Sequence, residues 1–154
     1  MSLTITIKTT PELGPLIQRL GNDINGGMKA GMIKLVGDIR ANAVKKTPVG
    51  KEPGKRGNLV NSIVPYISDN GLFATLKATA PYAEYVHEGT GLFGPLHHLI
   101  VPKKAKALFI PGVGFRKSTK GMKGRPFFNL ALKDFDAQKS FEQGIQNYLT
   151  KRGW

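Results

Sequence analysis

The chain has 154 residues, with 23 Lys or Arg against 10 Asp or Glu, a formal net charge of +13, and no cysteine. That length suits a single domain, residues 1–154. The missing cysteines exclude a disulfide scaffold, a thiolate zinc site and a cysteine nucleophile, and no apolar run approaches the roughly 20 residues that span a bilayer. The positive charge is concentrated in two places. Residues 40–56 hold six cations and one acid, residues 103–125 hold eight cations and no acid, and the other 114 residues carry nine of each sign. The chain reads as a neutral body with two basic segments. Its start, Met1 to Lys8, lacks the basic-then-apolar order of a secretory signal, so a cytoplasmic product without a membrane partner is expected.

Leu3, Ile5 and Ile7 alternate with Thr4, Thr6 and Lys8, the pattern of a short half-buried strand. Thr10-Pro11-Glu12 then opens a helix, with a capping hydroxyl and proline at the first helical position. Apolar residues at 13, 16, 17, 20, 24, 28, 32, 35, 36, 39 and 43 fall on one face of a long helix. Gly21, Gly26, Gly27, Gly31 and Gly37 weaken it, each by roughly 1 kcal/mol relative to Ala, and Asn25-Gly26-Gly27 is the place for a bend or break. Thr47-Pro48 ends it, because the residue before proline avoids helical geometry.

Residues 48–58 form a loop. Two extended runs, Leu59–Ser68 and Leu72–Ala80, follow, joined by Asp69-Asn70-Gly71 as a hairpin in which Asn and Gly accept positive φ. Pro65 places the first run at a sheet edge or a bulge. Pro81 to Glu88 reads as two helical turns closed by Gly89, with Tyr82, Tyr85 and Val86 on the buried side. His98–Val101 and Ala107–Ile110 read as two short strands. Residues 112–124 show no periodicity and are expected to be a mobile Gly- and Lys-rich loop. Arg125-Pro126 opens a final helical region. Its stripe of Phe127, Phe128, Ala131, Leu132 and Phe135 is out of phase with a second stripe of Phe141, Ile145, Tyr148 and Leu149, which splits the region into two helices near Asp136.

Several motifs bear on chemistry. Gly89-Thr90-Gly91-Leu92-Phe93-Gly94 spells G-x-G-x-x-G, but a helical turn precedes it and Pro95 follows, so the dinucleotide context is missing and a turn is the reading. His87-Glu88 begins a metalloprotease motif whose second histidine is replaced by Gly91. His97 and His98, adjacent on a strand, would point to opposite faces, and with His87 they read as surface or partner contacts. Glu84 and Glu88 read as helix-surface residues. No enzyme, metal or cofactor is expected. The basic segments invite phosphate backbone, bound without sequence preference, or acidic protein. With only Phe109 and Phe115 among the second segment's cations, base stacking is the lesser expectation.

Four blocks in order resemble one family. Pro48-Val49 with Gly57-Asn58-Leu59-Val60-Asn61-Ser62-Ile63 resembles "P-x…G-x-L-x-x-S-I". Tyr82-Ala83-Glu84-Tyr85-Val86-His87-Glu88-Gly89-Thr90 is similar to "Y-A-x-Y-V-E-x-G-T". Residues Ile100 to Leu108 resemble "I-x-P-K-x-A-K-A-L", and Gly124 to Leu132 "x-x-P-F-L-x-x-A-L". The family is the tail-component or tail-completion proteins of long-tailed phages and prophages. The 48–57 loop is longer than that family's "P-V-D-T-G" spacing.

The resemblance implies an α+β domain: a long N-terminal helix packed on a small, mostly antiparallel sheet, with C-terminal helices and a long basic loop. It also implies a structural, ring-forming role at the head–tail junction of a virion, beside connector and tail proteins, with the host cytoplasm as the place of assembly. The subunit is expected to be a monomer in isolation and a homo-oligomer on assembly. Within that frame Tyr82, Tyr85, Glu88, Gly89, Thr90, Pro126 and Phe127 are structural. Lys103, Lys104, Lys106, Arg116, Lys117, Lys120, Lys123 and Arg125, with Lys51, Lys55 and Arg56, are the candidate contacts to DNA or to an acidic neighbouring ring. The alternative is a free cellular nucleic-acid-binding protein that uses the same 103–125 segment.

Overall fold

In the computed structural model residues 13–50 and 57–154 are described, with side chains of the first helix from residue 18 onward. The expected strand Leu3–Ile7, the helix start at Thr10-Pro11-Glu12 and the cations Lys51, Lys55 and Arg56 lie outside the described residues. The architecture is α+β, as expected. A long helix α1 (Leu13–Lys46) leads to a helical turn α2 (Asn58–Asn61) and a hairpin of β1 (Ile63–Ile67) and β2 (Ala74–Ala78). A short helix α3 (Ala83–Glu88), a 3-10 turn at Gly91–Phe93 and a second hairpin of β3 (Leu108–Ile110) and β4 (Gly114–Arg116) follow. Helices α4 (Phe127–Leu132) and α5 (Ala137–Lys151) complete the chain. Among the described residues the sheets are two separate two-stranded ribbons. Packing groups the residues into two compact units, each discontinuous in sequence: 1–37 with 67–75 and 136–154, and 38–66 with 76–135.

In the first unit, α1 runs unbroken through Gly26-Gly27, the place expected for a bend or break. The glycines let α5 approach. A Cβ on Gly26 would collide with the Tyr148 hydroxyl, one on Gly31 would sit 2.8 Å from the Phe141 ring, and one on Gly144 would sit 2.7 Å from Gly31 Cα. The burial follows: Asp23, Gly27 and Gly31 are buried while Leu20 and Ile24 are exposed, so the expected apolar stripe does not hold over this stretch. Small residues of α1 accept the large side chains of α5 there, and the stripe is at least half-buried only from Met28 onward. The split near Asp136 is as expected, since the Asp136 carboxylate caps α5 by accepting from Lys139 N at 2.9 Å.

The tip of the first hairpin also belongs to this unit. Gly71 takes a φ of +69°, but Asn70 does not share it. Instead its Oδ1 accepts from Leu72 N at 3.0 Å and from the Ser68 hydroxyl at 2.6 Å, and the strands close at Ser68 N to Phe73 O, 2.9 Å. The turn is therefore wider than a two-residue Asn-Gly turn. A Cβ on Gly71 would lie 2.7 Å from Lys29 Cα.

In the second unit the core is Ala43, Leu59, Ile63, Ala83, Phe127 and Ala131, with Val44, Leu76, Ala78, Val86 and Phe128 packed against it. Here α1 packs on the sheet, and Arg40 Nε donates to Ile63 O at 2.9 Å. The helix stops at Lys46 as expected; Thr47 folds back, its hydroxyl donating to Ala43 O at 2.6 Å. Residues 58–61 are helical rather than extended, because Gly57 enters with φ +79° and Ser62 closes the turn through its hydroxyl on Leu59 O. Pro65 sits in a ribbon that is two-stranded among the described residues, where each strand is an edge. Helix α3 ends at Gly89, φ +92°, as expected, yet its buried side is Ala83, flanked by half-buried Val86 and His87. Tyr82 and Tyr85 face out, Tyr85 at 60% exposure. Of the expected strand His98–Val101 only one bridge, Ile100 to Thr119, forms.

Candidate interaction surface

All eight cations of the 103–125 segment are exposed, and the fold distributes them over three stretches. Lys103, Lys104 and Lys106 lie in the bends before β3, Arg116 and Lys117 at the end of β4, and Lys120, Lys123 and Arg125 on the return to α4. Among the described residues the unit that carries them holds 13 cations and 4 acids, a net +9, whereas the other unit holds 6 and 4, a net +2. Unrelieved positive charge of this density raises the local potential and favours an anionic partner.

The expectation of an unpatterned loop over 112–124 gives way at residues 114–116. Strand β4 pairs antiparallel with β3 in the register Leu108 with Arg116, Phe109 with Phe115, and Ile110 with Gly114. Pairing with period two sends Phe109 and Phe115 to one face of the ribbon. Their ring centroids are 5.2 Å apart, and the side chains are 65% and 70% exposed. Exposed Leu96, Leu99, Val101 and Val113 add apolar surface in the same part of the sequence. Strand β3 falls within the expected Ala107–Ile110, but the three residues of β4 carry too short an alternation to be recognised in sequence, so the cross-strand meeting of two phenylalanines six residues apart is not legible there.

The return stretch crosses the Gly89–Gly94 segment backbone to backbone. Thr90 N donates to Met122 O at 2.8 Å, Leu92 N to Lys120 O at 2.8 Å, and Met122 N to the Thr90 hydroxyl at 3.0 Å. A Cβ on Gly89 would fall 2.6 Å from Gly124 N, and one on Gly121 would meet the Thr90 carbonyl. The glycines of G-x-G-x-x-G thus serve a chain crossing; they do more than the simple turn expected of them and cradle no helix N-terminus. Arg125 N donates to Val86 O at 2.8 Å, which fixes the backbone from which α4 starts. Lys123 Nζ lies 5.7 Å from the Phe93 ring centroid, within reach of a cation–π attraction.

The four sequence blocks all fall in this unit. Leu59 and Ile63 from the first, Ala83 from the second, and Phe127 and Ala131 from the last are core residues. Phe127 is 1% exposed and takes His87 edge-on at 5.2 Å. His87 is accordingly not the surface contact expected of it: its ring packs against Phe127 and Phe128, and its Nε2 is buried without a hydrogen-bond partner. Glu84 and Glu88 are exposed, as expected of helix-surface residues. His97 and His98 are exposed, and His97 Nδ1 lies 3.2 Å from Leu92 O. A cavity of about 500 Å³ is lined by Pro48, Val49, Leu59, Tyr82, Val86 and Arg125 among others.

The first unit carries a polar cluster that sequence spacing could not reveal. Asp23 is buried on α1, and its carboxylate accepts from Trp154 Nε1 at 2.7 Å and from Arg152 Nε at 2.8 Å. Arg19 lies 3.6 Å from the same carboxylate, donates to Arg152 O at 2.9 Å and stacks over the Trp154 ring. The Trp154 hydrogen bond, with the Arg152 bond and the charges of Arg152 and Arg19, outweighs desolvation and holds the Asp23 carboxyl below its ordinary value. The Asp23 partner in turn raises Arg152.

Among the described residues no helix is long and apolar enough to cross a membrane. Compared with known proteins, the chain matches no family model, no curated protein and no solved structure.

Proposed function

We propose that the chain is a structural virion-assembly protein of a tailed phage or prophage, a tail-completion or head–tail joining subunit that acts in an oligomeric ring. The observation that carries this reading is the joint placement of the four family-like blocks. All four lie in one unit and three of them supply core residues to it, and the same unit carries an exposed ribbon, the eight cations of the 103–125 segment and several exposed apolar side chains. A surface both apolar and charged suits lasting contact with other macromolecules better than small-molecule chemistry. On this reading the blocks hold the frame, and the basic stretches with exposed Leu96, Leu99, Val101 and Val113 make the contacts to neighbouring subunits, connector and tail proteins.

The test is made in particles. An antibody to this chain is expected to label the head–tail junction of virions from the organism that encodes it, and disrupting its gene should leave separate heads and tails. Complete, infectious particles after disruption would refute the assembly role.

A further inference from the structure

The β3–β4 ribbon shows a combination that neither assembly contacts nor phosphate attraction explains in full. Duplex phosphates need cations alone, and a duplex hides its base faces. Here two phenylalanines are paired across the strands, both largely in water, beside cations that no acid of the 103–125 segment offsets. Arg116 and Lys117 follow Phe115 directly, and Lys106 stands two residues before β3. Exposed aromatic faces next to uncompensated cations are what unpaired nucleotides need: phosphates meet the charges and bases stack on the rings, largely without regard to sequence.

We infer that this ribbon is a binding site for single-stranded nucleic acid, with Phe109 and Phe115 as the stacking platform and Lys106, Arg116, Lys117 and Lys120 as phosphate contacts. The ribbon is held by its own ladder and by the return stretch hydrogen-bonded to residues 90–92, so the platform exists before the ligand arrives. An acidic protein would satisfy the charges without needing two largely exposed rings in contact, inclined at 56° to each other. The site does not depend on the virion role: a chain that fails to label particles can still bind single strands, and a chain that joins heads to tails can fail to.

The experiment is fluorescence anisotropy of the full chain with labelled (dT)20, a 20-bp duplex of mixed sequence, and polyglutamate as competitor, over about 50 to 200 mM salt. The expected result is tighter binding of (dT)20 than of duplex, with polyglutamate a weak competitor. Phe109→Ala and Phe115→Ala should each weaken (dT)20 by roughly 5- to 150-fold and leave duplex binding within about twofold, while Phe115→Trp should retain it. Lys117→Ala should lower the salt slope on (dT)20 by about 0.7. Both phenylalanines are exposed, so circular dichroism of the variants should match the wild type. Equal or tighter binding of duplex, phenylalanine variants with unchanged (dT)20 affinity, or polyglutamate competing as well as unlabelled (dT)20 would each overturn the inference. The comparison of single strand with duplex needs no variant, so it decides the matter even if a substitution perturbs folding.

Discussion

Replacing glycine by alanine should move stability in opposite directions within one helix pair. In an open helical position the change removes backbone freedom from the unfolded chain and gains roughly 1 kcal/mol. Gly21 and Gly37 are such positions, since a Cβ at either meets nothing within 4 Å. Gly144 on α5 is the opposite case: its Cβ would lie 2.7 Å from Gly31 Cα, 2.8 Å from the Ala30 carbonyl oxygen and 2.8 Å from Lys34 Cβ. Two of those three atoms are backbone, so the helices themselves must part, by roughly 0.5–1 Å, which forfeits about a quarter to a half of each contact's dispersion energy. Overpacking of this kind costs about 1–3 kcal/mol, and backbone on the receiving side puts it near 3. Subtracting the propensity gain leaves Gly144→Ala about 2 kcal/mol less stable than the wild type, and about 3 kcal/mol below Gly21→Ala. Urea unfolding followed by circular dichroism measures both, with the slope of the transition checked for constancy. Gly31→Ala should fall between them, because its obstacle is the edge of the Phe141 ring, 2.8 Å away, and a ring can turn. A Gly144→Ala midpoint at or above the wild type would refute the close helix–helix approach. A lowered Gly21→Ala midpoint would refute the propensity argument.

Asp23→Asn should flatten the acid limb of stability. The folded carboxyl lies below its ordinary 3.8, so the unfolded chain binds the proton first, and the stabilisation is complete above that value and lost as pH falls through the lower folded one. Urea midpoints from about pH 6 down to about pH 3 should therefore fall more steeply for the wild type than for the variant. Gly121→Ala should destabilise by more than Gly112→Ala. Both positions have positive φ, +83° and +79°, which costs a side chain roughly 1–2 kcal/mol, but only at Gly121 does the Cβ also strike the Thr90 carbonyl. Thermal unfolding compares the pair. Phe127→Ala should cost about 3–5 kcal/mol because the ring fills the core at 1% exposure, whereas Phe109→Ala should stay within about 0.5 kcal/mol; the same denaturation assay separates them.

Local signals in the sequence carried the element list. The proline after Thr47 stopped α1, Gly89 closed α3, the Asp69-Asn70-Gly71 segment marked the hairpin between β1 and β2 though not its turn type, and the phase slip between two aromatic stripes divided α4 from α5 at its Asp136 cap. Each is written within a few residues, where backbone sterics and capping act. The two basic segments were equally legible, since charge needs no fold to be counted.

What tertiary structure decided is which side of each element is inside and which distant residues meet. Periodicity put Leu20, Ile24, Tyr82 and Tyr85 in a core, yet all four are exposed. Facing elements chose small positions instead: Gly27 and Gly31 against the large residues of α5, and Ala83 in the core that Phe127 fills. The pairing of Phe109 with Phe115 and the Asp23–Arg152–Trp154 cluster likewise depend on register and docking across the chain. Helical and strand periodicity reports that a face is apolar, but the volume and backbone approach of the partner decide whether that face is covered.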